Sequence, residues 1–217
     1  LDRMAIRGVN LYRPQLELPD VEALLFFEVD GSPAAVSYQA EKVAQVVSPY
    51  AEKVDWANDP ARVRELWEGR AVTGVASGLV RPDGTRIYAG EDICVPLTKV
   101  APALRGIQEI GAKHNTIIVT YGHIGDGNLH AAPIIKTDDA DEVRWAKLVE
   151  EEIHRLALEL GGTVTGEHGV GITRKPYMRA EHGRALDVMW QIKQVLDPHN
   201  IMNPGKMFPD EMITASG

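Results

Sequence analysis

The sequence contains only one cysteine, Cys94, in 217 residues. A single thiol excludes an intramolecular disulfide and is typical of reducing compartments, so we predict a cytoplasmic location. The chain also lacks an apolar run of about 20 residues, which is the length that a helix needs to span a membrane. Its formal net charge of −8 disfavours nucleic acid as a partner, because phosphate backbones bind basic surfaces.

The rest of the composition is that of an ordinary globular protein, with 44% hydrophobic and 25% charged residues, which is enough for a sizeable core. A β-rich apolar run predicts a strand over residues 23–29. Cap residues followed by helical periodicity predict helices that begin near Ser32, Asp59 and Asp139, and a last helix over residues 182–196. Because strands and helices alternate around a hairpin, whose strands are antiparallel, we predict the α+β class.

The hairpin itself is predicted at residues 121–130 (YGHIGDGNLH). The apolar run at residues 117–119 enters a glycine-rich turn, an alternating run leaves it, and Asp126-Gly127 is a favoured turn pair. If these two residues form the turn, each residue before it pairs with the residue after it whose number brings the sum to 253, which is the sum of 126 and 127. His123 then pairs with His130. The two imidazoles would then share one face of the sheet, with Cβ atoms roughly 5 Å apart.

A metal site is one interpretation of this histidine pair. Two imidazoles at that distance can share an ion at about 2.0–2.1 Å per bond, and Glu167 offers a third ligand from residues 166–169 (GEHG). Two histidines, a glutamate and an open position are typical of a catalytic site for Zn²⁺, Mn²⁺ or Fe²⁺. His168 stands beside the proposed ligand and can accept a proton near neutrality. The alternative is an ordinary histidine pair on a half-buried sheet, beside a polar loop.

Three motifs also carry a resemblance to a known family. Residues 122–130 (GHIGDGNLH), 166–169 (GEHG) and 203–206 (NPGK) resemble the signature motifs of the C-terminal domain of FAD-linked oxidases. That family includes D-lactate dehydrogenases, D-2-hydroxyglutarate dehydrogenases and the flavin subunit of bacterial glycolate oxidase. The resemblance covers nearly the whole chain, from Leu1 to Phe208.

The resemblance implies a particular organisation of the chain. Residues 1–209 would form the substrate-binding domain, an antiparallel sheet covered by helices and built from two ferredoxin-like halves, and residues 210–217 would be a tail. The N-terminal FAD-binding domain is absent from this chain, so we expect the chain to be part of a longer polypeptide and to be inactive alone. Other oxidase subunits are further possible partners of the same enzyme.

The resemblance also implies roles for individual residues in the oxidation of a 2-hydroxy acid. His168 would take the hydroxyl proton while hydride passes to the flavin. Arg70, within residues 66–70 (LWEGR), would contact the substrate carboxylate, a task that a guanidinium fork suits. Asn203 and Lys206 would contact the flavin domain or the flavin itself.

Three positions favour a small substrate, such as glycolate or D-lactate. In the 2-hydroxyglutarate branch of the family a threonine, a lysine and an asparagine surround the substrate, whereas this chain has Gly74, Gly90 and Ala132 in their places. A distal carboxylate would lack its partners there. Some members of the family work without a metal, and His123 and His130 would then contact the substrate directly.

The residues alone leave the chemistry open, because a Lewis acid beside a base suits both alcohol oxidation and the activation of water. One alternative function is therefore a stand-alone metallohydrolase that uses His123, His130 and Glu167. A second is a non-catalytic assembly domain of the same complex. The resemblance favours oxidation.

Overall fold

The computed structural model describes residues 1–88 and 91–214, and a four-stranded antiparallel sheet lies at its centre. Its strands are β1 (Thr85–Arg86), β2 (Glu91–Cys94), β3 (Ile117–His123) and β4 (Asn128–Ile135). Strand β4 pairs with β3 along one edge, while β1 and β2 share its other edge, one at each end. The helices are α1 (Arg3–Tyr12), α2 (Pro33–Val47), α3 (Pro60–Ala71), α4 (Thr73–Ala76), α5 (Val100–Lys113), α6 (Ala140–Glu159), α7 (Met178–His182), α8 (Ala185–Leu196) and α9 (Asp210–Thr214).

Local sequence explains where three of the predicted helices begin. Ser32, Asp59 and Asp139 each accept a hydrogen bond from a backbone N–H in the first turn of the helix that follows. Proline occupies the first position of α2 and α3, where its missing N–H costs nothing. These helix starts were predicted from the same cap residues and are confirmed.

The two faces of the sheet have different neighbours. Helices α5 and α6 pack on the face that carries Leu129 and Ala131, and together they form the largest core cluster. Helix α1 packs on the opposite face, against Val119 and Ile134. His130 lies on the α1 face as well, because side chains along a strand alternate between the faces. The histidines lie on this face toward the β3–β4 hairpin, beyond Val119 and Ile134 along their strands.

The predicted strand over residues 23–29 is wrong. Ala23 forms an isolated bridge with Asp2, and the residues that follow have no strand partner within the described chain. The side chains still alternate: Phe26 packs against the cluster around α1, whereas Phe27 is 58% exposed. The apolar pattern is thus satisfied by packing on a helix, without a ladder of backbone hydrogen bonds.

The end of the chain is partly helical. Residues 210–214, which belong to the predicted tail, form α9, and Met212 and Ile213 pack against the cluster around Val164. The remaining residues of that segment, 215–217, lie outside the described residues, as does Gly90. No helix in the described part of the chain is long and apolar enough to cross a membrane.

Candidate functional site

The hairpin between β3 and β4 has a different register from the predicted one. Residues 124–127 form a four-residue loop, with a 3₁₀ turn over Ile124–Asp126 and Gly127 at φ +76°. His123 therefore pairs with Asn128, and His130 pairs with Tyr121. The predicted two-residue turn, which would place the two histidines directly opposite each other, is wrong.

The shared face of the two histidines is nevertheless confirmed. The register differs from the predicted one by two residues, and a shift of two leaves every side chain on its original face. His123 and His130 are diagonal neighbours, with ring centroids 5.8 Å apart. Gly127 makes the close turn possible, because an added Cβ would lie 2.0 Å from the carbonyl oxygen of Val95.

Three imidazoles surround one carboxylate oxygen at this end of the sheet. The Oε1 atom of Glu167 lies 3.5 Å from Nε2 of His123, 3.3 Å from Nε2 of His130 and 3.8 Å from Nε2 of His168. The loop that carries Glu167 and His168 meets the hairpin only in the folded chain. The structure thus brings together the residues that were predicted as metal ligands and the residue that was predicted as a base.

His130 is the most buried member of this group, with 6% of its side chain exposed. Its ring packs between Tyr121, at a centroid distance of 5.1 Å, and His168, which is stacked at 5.3 Å. Burial and the neighbouring His168 lower the pKa of His130 to about 4. The imidazole is therefore neutral at pH 7, which is the form that ligates metals.

Arg70 reaches the same cluster from the last turn of α3. Its Nη2 atom lies 3.3 Å from Nε2 of His123, and its guanidinium lies 5.5 Å from the centre of the Tyr121 ring. Because a guanidinium can only donate, this contact requires a lone pair on Nε2 of His123.

The donor set of the site fits a cation. Nε2 of His123 lies 3.5 Å from Oε1 of Glu167, and its single lone pair faces Nη2 of Arg70, so a bound ion would take the place of that arginine contact. The guanidinium of Arg70 supplies positive charge beside the two groups in this structure. One ligand atom from each of His130, Glu167, His168 and the hydrogen-bonded Asp92 lies within 4.8 Å of the others, in a group that does not include the predicted ligand His123. Imidazole and carboxylate groups are the usual ligands of zinc, manganese and iron.

Asp92 was not predicted as a site residue. It is fully buried, and its carboxylate accepts hydrogen bonds from the side chains of Asn128 and Thr165 and from the backbone N–H groups of Glu167 and His168. Burial raises the pKa of Asp92, but these hydrogen bonds outweigh burial and hold the pKa below its usual range. The only sequence signal was a polar residue directly before the apolar residues of β2.

A second arginine fills the space beside Gly74. A Cβ atom at Gly74 would lie 2.8 Å from Nη1 of Arg86 and 3.0 Å from the hydroxyl of Tyr121. Nη2 of Arg86 donates to that hydroxyl at 2.6 Å. The position where the family resemblance places a threonine is thus occupied by a guanidinium from β1.

Asn203 and Lys206 lie in an exposed turn, where the N–H of Lys206 donates to the carbonyl of Asn203 at 3.3 Å. This turn adjoins the loop after His168, because the N–H of Met207 donates to the carbonyl of Gly171 at 2.9 Å. Their predicted contact with a flavin or its domain concerns groups outside this chain and stays a prediction.

Comparisons with known proteins identify the family of the chain. Residues 1–207 match the protein family described as "FAD linked oxidases, C-terminal domain". The chain is similar to "Glycolate oxidase subunit GlcD" of Bacillus subtilis (strain 168), with 37% identity over 211 residues that cover 96% of this chain and 44% of that protein. It is also similar to "Probable D-lactate dehydrogenase, mitochondrial" of Danio rerio, with 33% identity over 189 residues that cover 86% of this chain and 38% of that protein. The chain spans less than half the length of these relatives.

A solved structure shares the fold. The structure of 4-ethylphenol oxidase from Gulosibacter chungangensis, in its isoeugenol complex, is similar with a TM-score of 0.53 and 18% sequence identity. The similarity covers 81% of this chain and 38% of that chain. The predicted α+β class with an antiparallel sheet is confirmed, whereas the duplication into two ferredoxin-like halves stays a prediction.

Proposed function

Since the chain belongs to the family of C-terminal domains of FAD-linked oxidases, we propose that it is the substrate-binding domain of an FAD-dependent enzyme that oxidises a D-2-hydroxy acid to the 2-oxo acid. The observation that carries this proposal is the convergence of three imidazoles, one carboxylate and one guanidinium at the hairpin end of the sheet. An α-hydroxy acid presents a carboxylate, a hydroxyl and a C–H bond within three atoms. The site has a guanidinium that can bind the carboxylate and imidazoles that can bind the hydroxyl.

Arg70 is the proposed partner of the substrate carboxylate. Its guanidinium lies at the edge of the cluster, within 3.3 Å of His123, and is oriented by its contact with the face of Tyr121. A guanidinium can hold a carboxylate through two parallel hydrogen bonds, which fixes the orientation of the acid as well as its position. The substrate hydroxyl would then lie toward the three histidines.

His168 is the proposed base. Nearly half of its side chain is exposed, at 47%, so a substrate can reach the imidazole, whereas His130 is buried behind it. His168 takes the proton of the substrate hydroxyl, and the α-carbon that carries this hydroxyl loses a hydride. The acid thus loses one proton and one hydride, and its C–OH group becomes a C=O group. FAD, held mainly by an N-terminal domain of the same polypeptide, would accept that hydride.

His123, His130 and Glu167 are the proposed ligands of a divalent metal ion such as Zn²⁺, Mn²⁺ or Fe²⁺. When bound, such an ion would supply Lewis acidity that lowers the pKa of the substrate hydroxyl. This role is supported by the convergence of the three groups, with Nε2 of His123 and Nε2 of His130 within 3.5 Å of Oε1 of Glu167, and by the neutral state of His130. Without a metal, the same two histidines are the proposed direct contacts of the substrate. The family favours oxidation over the hydrolytic alternative.

A small substrate remains our proposal. Glycolate and D-lactate are favoured because Arg86 and Tyr121 take up the space beside Gly74, which leaves less room for a longer acid, and because Ala132 offers no polar group. The guanidinium of Arg86 restores a polar group at the threonine position, so this preference rests on space and not on the lack of a carboxylate partner there. Two of the relatives, a glycolate oxidase subunit and a probable D-lactate dehydrogenase, are named for acids of this size. A cytoplasmic location also stays a prediction.

The test uses the complete polypeptide with bound FAD, assayed with an artificial electron acceptor. We expect turnover of glycolate or D-lactate but not of L-lactate, and about 100-fold lower kcat/KM in Arg70→Ala, since removal of one partner of a charged pair costs about 2–4 kcal/mol. Arg105→Ala removes an exposed arginine on α5 and serves as the matched control. Oxidation of neither acid, or an Arg70→Ala enzyme with wild-type kinetics, would contradict the proposal.

A further inference from the structure

The loop that carries Glu167 and His168 has no regular secondary structure, so no helix or strand orients its peptide groups. A single carboxylate takes that role. Oδ1 of Asp92 accepts from the N–H of Glu167 at 3.0 Å, and Oδ2 accepts from the N–H of His168 at 2.8 Å. The hydroxyl of Thr165 also donates to Oδ2, at 2.9 Å.

The backbone of Asp92 is adapted to the same task. Asp92 is the extra residue of a β-bulge in β2, where Glu91 pairs with His130 and Ile93 pairs with Leu129. Its φ of +80° is a left-handed conformation, which costs most residues about 1–2 kcal/mol. The bulge turns the carboxylate away from the strand and toward the loop, and the carbonyl of Asp92 accepts from the N–H of Gly166 at 2.7 Å.

The carboxylate is fully occupied by these donors. Besides the loop, the amide of Asn128 donates to Oδ1 at 2.9 Å, so each oxygen accepts at least two hydrogen bonds. Asp92 therefore has little capacity left to ligate an ion, although it lies within the acidic and histidine cluster. Its contacts run to the backbone behind Glu167 and His168, not to their reactive atoms.

We propose that Asp92 is a positioning residue, which holds the backbone of Glu167 and His168 so that the carboxylate and the imidazole face His123 and His130. The inference rests on the function proposed above for Glu167 and His168. With both N–H groups directed at one carboxylate, the two peptide planes are fixed together, and Oε1 of Glu167 lies 3.8 Å from Nε2 of His168. Without the Asp92 carboxylate, the peptide groups of Glu167 and His168 are no longer held in this orientation, although every proposed ligand is still present.

Asp92→Asn is the informative variant. Asparagine has the same size and tolerates a positive φ, but one of its two oxygens becomes an NH₂ group that cannot accept from the loop. We expect the affinity of the chain for Mn²⁺ or Zn²⁺, each titrated alone by calorimetry, to fall by about 10- to 100-fold, as is typical when the partner that orients a ligand is lost.

Asp197→Asn is the matched control. Asp197 is also a buried carboxylate, and it accepts from the backbone N–H groups of Ile201 and Met202 in the loop after α8. It therefore matches Asp92 in chemistry but serves a different loop. We expect Asp197→Asn to lower thermal stability while metal affinity stays at the wild-type value.

A second measurement does not depend on metal. In the metal-free chain, amide hydrogen exchange followed by NMR should show Glu167 and His168 exchanging at least about 10-fold faster in Asp92→Asn, and unchanged in Asp197→Asn. Wild-type exchange rates at both amides in Asp92→Asn would overturn the proposal. If the wild type binds either metal, an unchanged metal affinity in that variant would overturn it as well. Faster exchange in a protein whose wild type binds neither metal would remove the metal from the proposed function and leave the role of Asp92 standing.

Discussion

The buried imidazole of His154 allows a quantitative prediction about the pH dependence of stability. His154 lies on α6 with 1% of its surface exposed, and its ring packs 4.4 Å from the ring of Tyr177, measured between centroids. Neither ring nitrogen has a hydrogen-bond partner of good geometry among the described residues, and the backbone of Glu150 only partly opposes the effect of burial on the pKa. Burial, followed by the charge of Arg174, lowers the pKa of His154 from its ordinary value of 6.5 to about 4.

This shift has a definite sign. The unfolded chain binds a proton at His154 below pH 6.5, whereas the folded chain does not until about pH 4. Above pH 6.5 the imidazole is neutral in both states and its titration does not affect stability. As the pH falls from 6.5 toward 4, protonation of the unfolded chain lowers the free energy of unfolding. Linkage places the free energy of unfolding at pH 5 about 2 kcal/mol below its value at pH 8 from this residue alone.

The measurement is urea unfolding of the wild type and of His154→Leu at pH 8, 6.5 and 5. The loss of stability between pH 8 and pH 5 should be about 2 kcal/mol smaller in His154→Leu. At pH 8 the variant should be as stable as the wild type or more so, because leucine has no polar atom to desolvate. His130 also titrates with a lowered pKa, but it does so in both proteins, so the difference between them isolates His154.

His199→Leu, the same change at an exposed position, is the control and should leave the pH dependence of the wild type intact. Equal pH dependence in the wild type and His154→Leu would refute the reasoning, since it would mean that the imidazole is solvated or hydrogen-bonded in the folded protein.

Further predictions concern an ion pair and two glycines. Arg81 holds both carboxylate oxygens of Glu142, at 2.6 and 2.7 Å, and with an adjacent backbone amide it lowers the pKa of Glu142 from 4.5 to about 2. Glu142→Gln should therefore destabilise the protein by about 1–2 kcal/mol at pH 7, and this difference in urea unfolding should vanish as the pH falls from 4.5 toward 2. Gly127→Ala should cost about 3–5 kcal/mol in thermal or urea unfolding, because it combines a positive φ with a Cβ 2.0 Å from the carbonyl oxygen of Val95. Gly161→Ala should cost only about 1–2 kcal/mol, because its φ of +78° is similar but open space surrounds it, and equal costs at the two glycines would contradict the steric argument.

Several features of the fold could be predicted from neighbouring residues alone. Helix starts at Ser32 and Asp59 were predictable because the cap side chain accepts a hydrogen bond from a backbone N–H only three residues further along the chain. The β-rich apolar run at residues 23–29 predicted a strand that the structure lacks, because such a run indicates that side chains are buried and does not record what buries them. In the structure a helix covers that run.

The hairpin shows the same limit at the site. Alternation along the strand was enough to place His123 and His130 on one face, since that face survives any shift of two residues. The register itself depends on the loop, and the 3₁₀ turn at Ile124–Asp126 is stabilised by the fit of Gly127 against the carbonyl of Val95. That contact joins residues that are distant in sequence, so no local signal reports it.

The sequence by itself determined which groups are available for chemistry: His123, His130, Glu167 and His168 stand in short motifs whose glycines allow close approach. Only the tertiary structure decided how they meet, because the hairpin, α3 and the loop around Glu167 are separate segments that converge at one end of the sheet. Asp92 shows the reason most clearly. Its carboxylate orients backbone groups 75 and 76 residues further along the chain, and hydrogen bonds over such separations form only when the whole core has brought the two segments together.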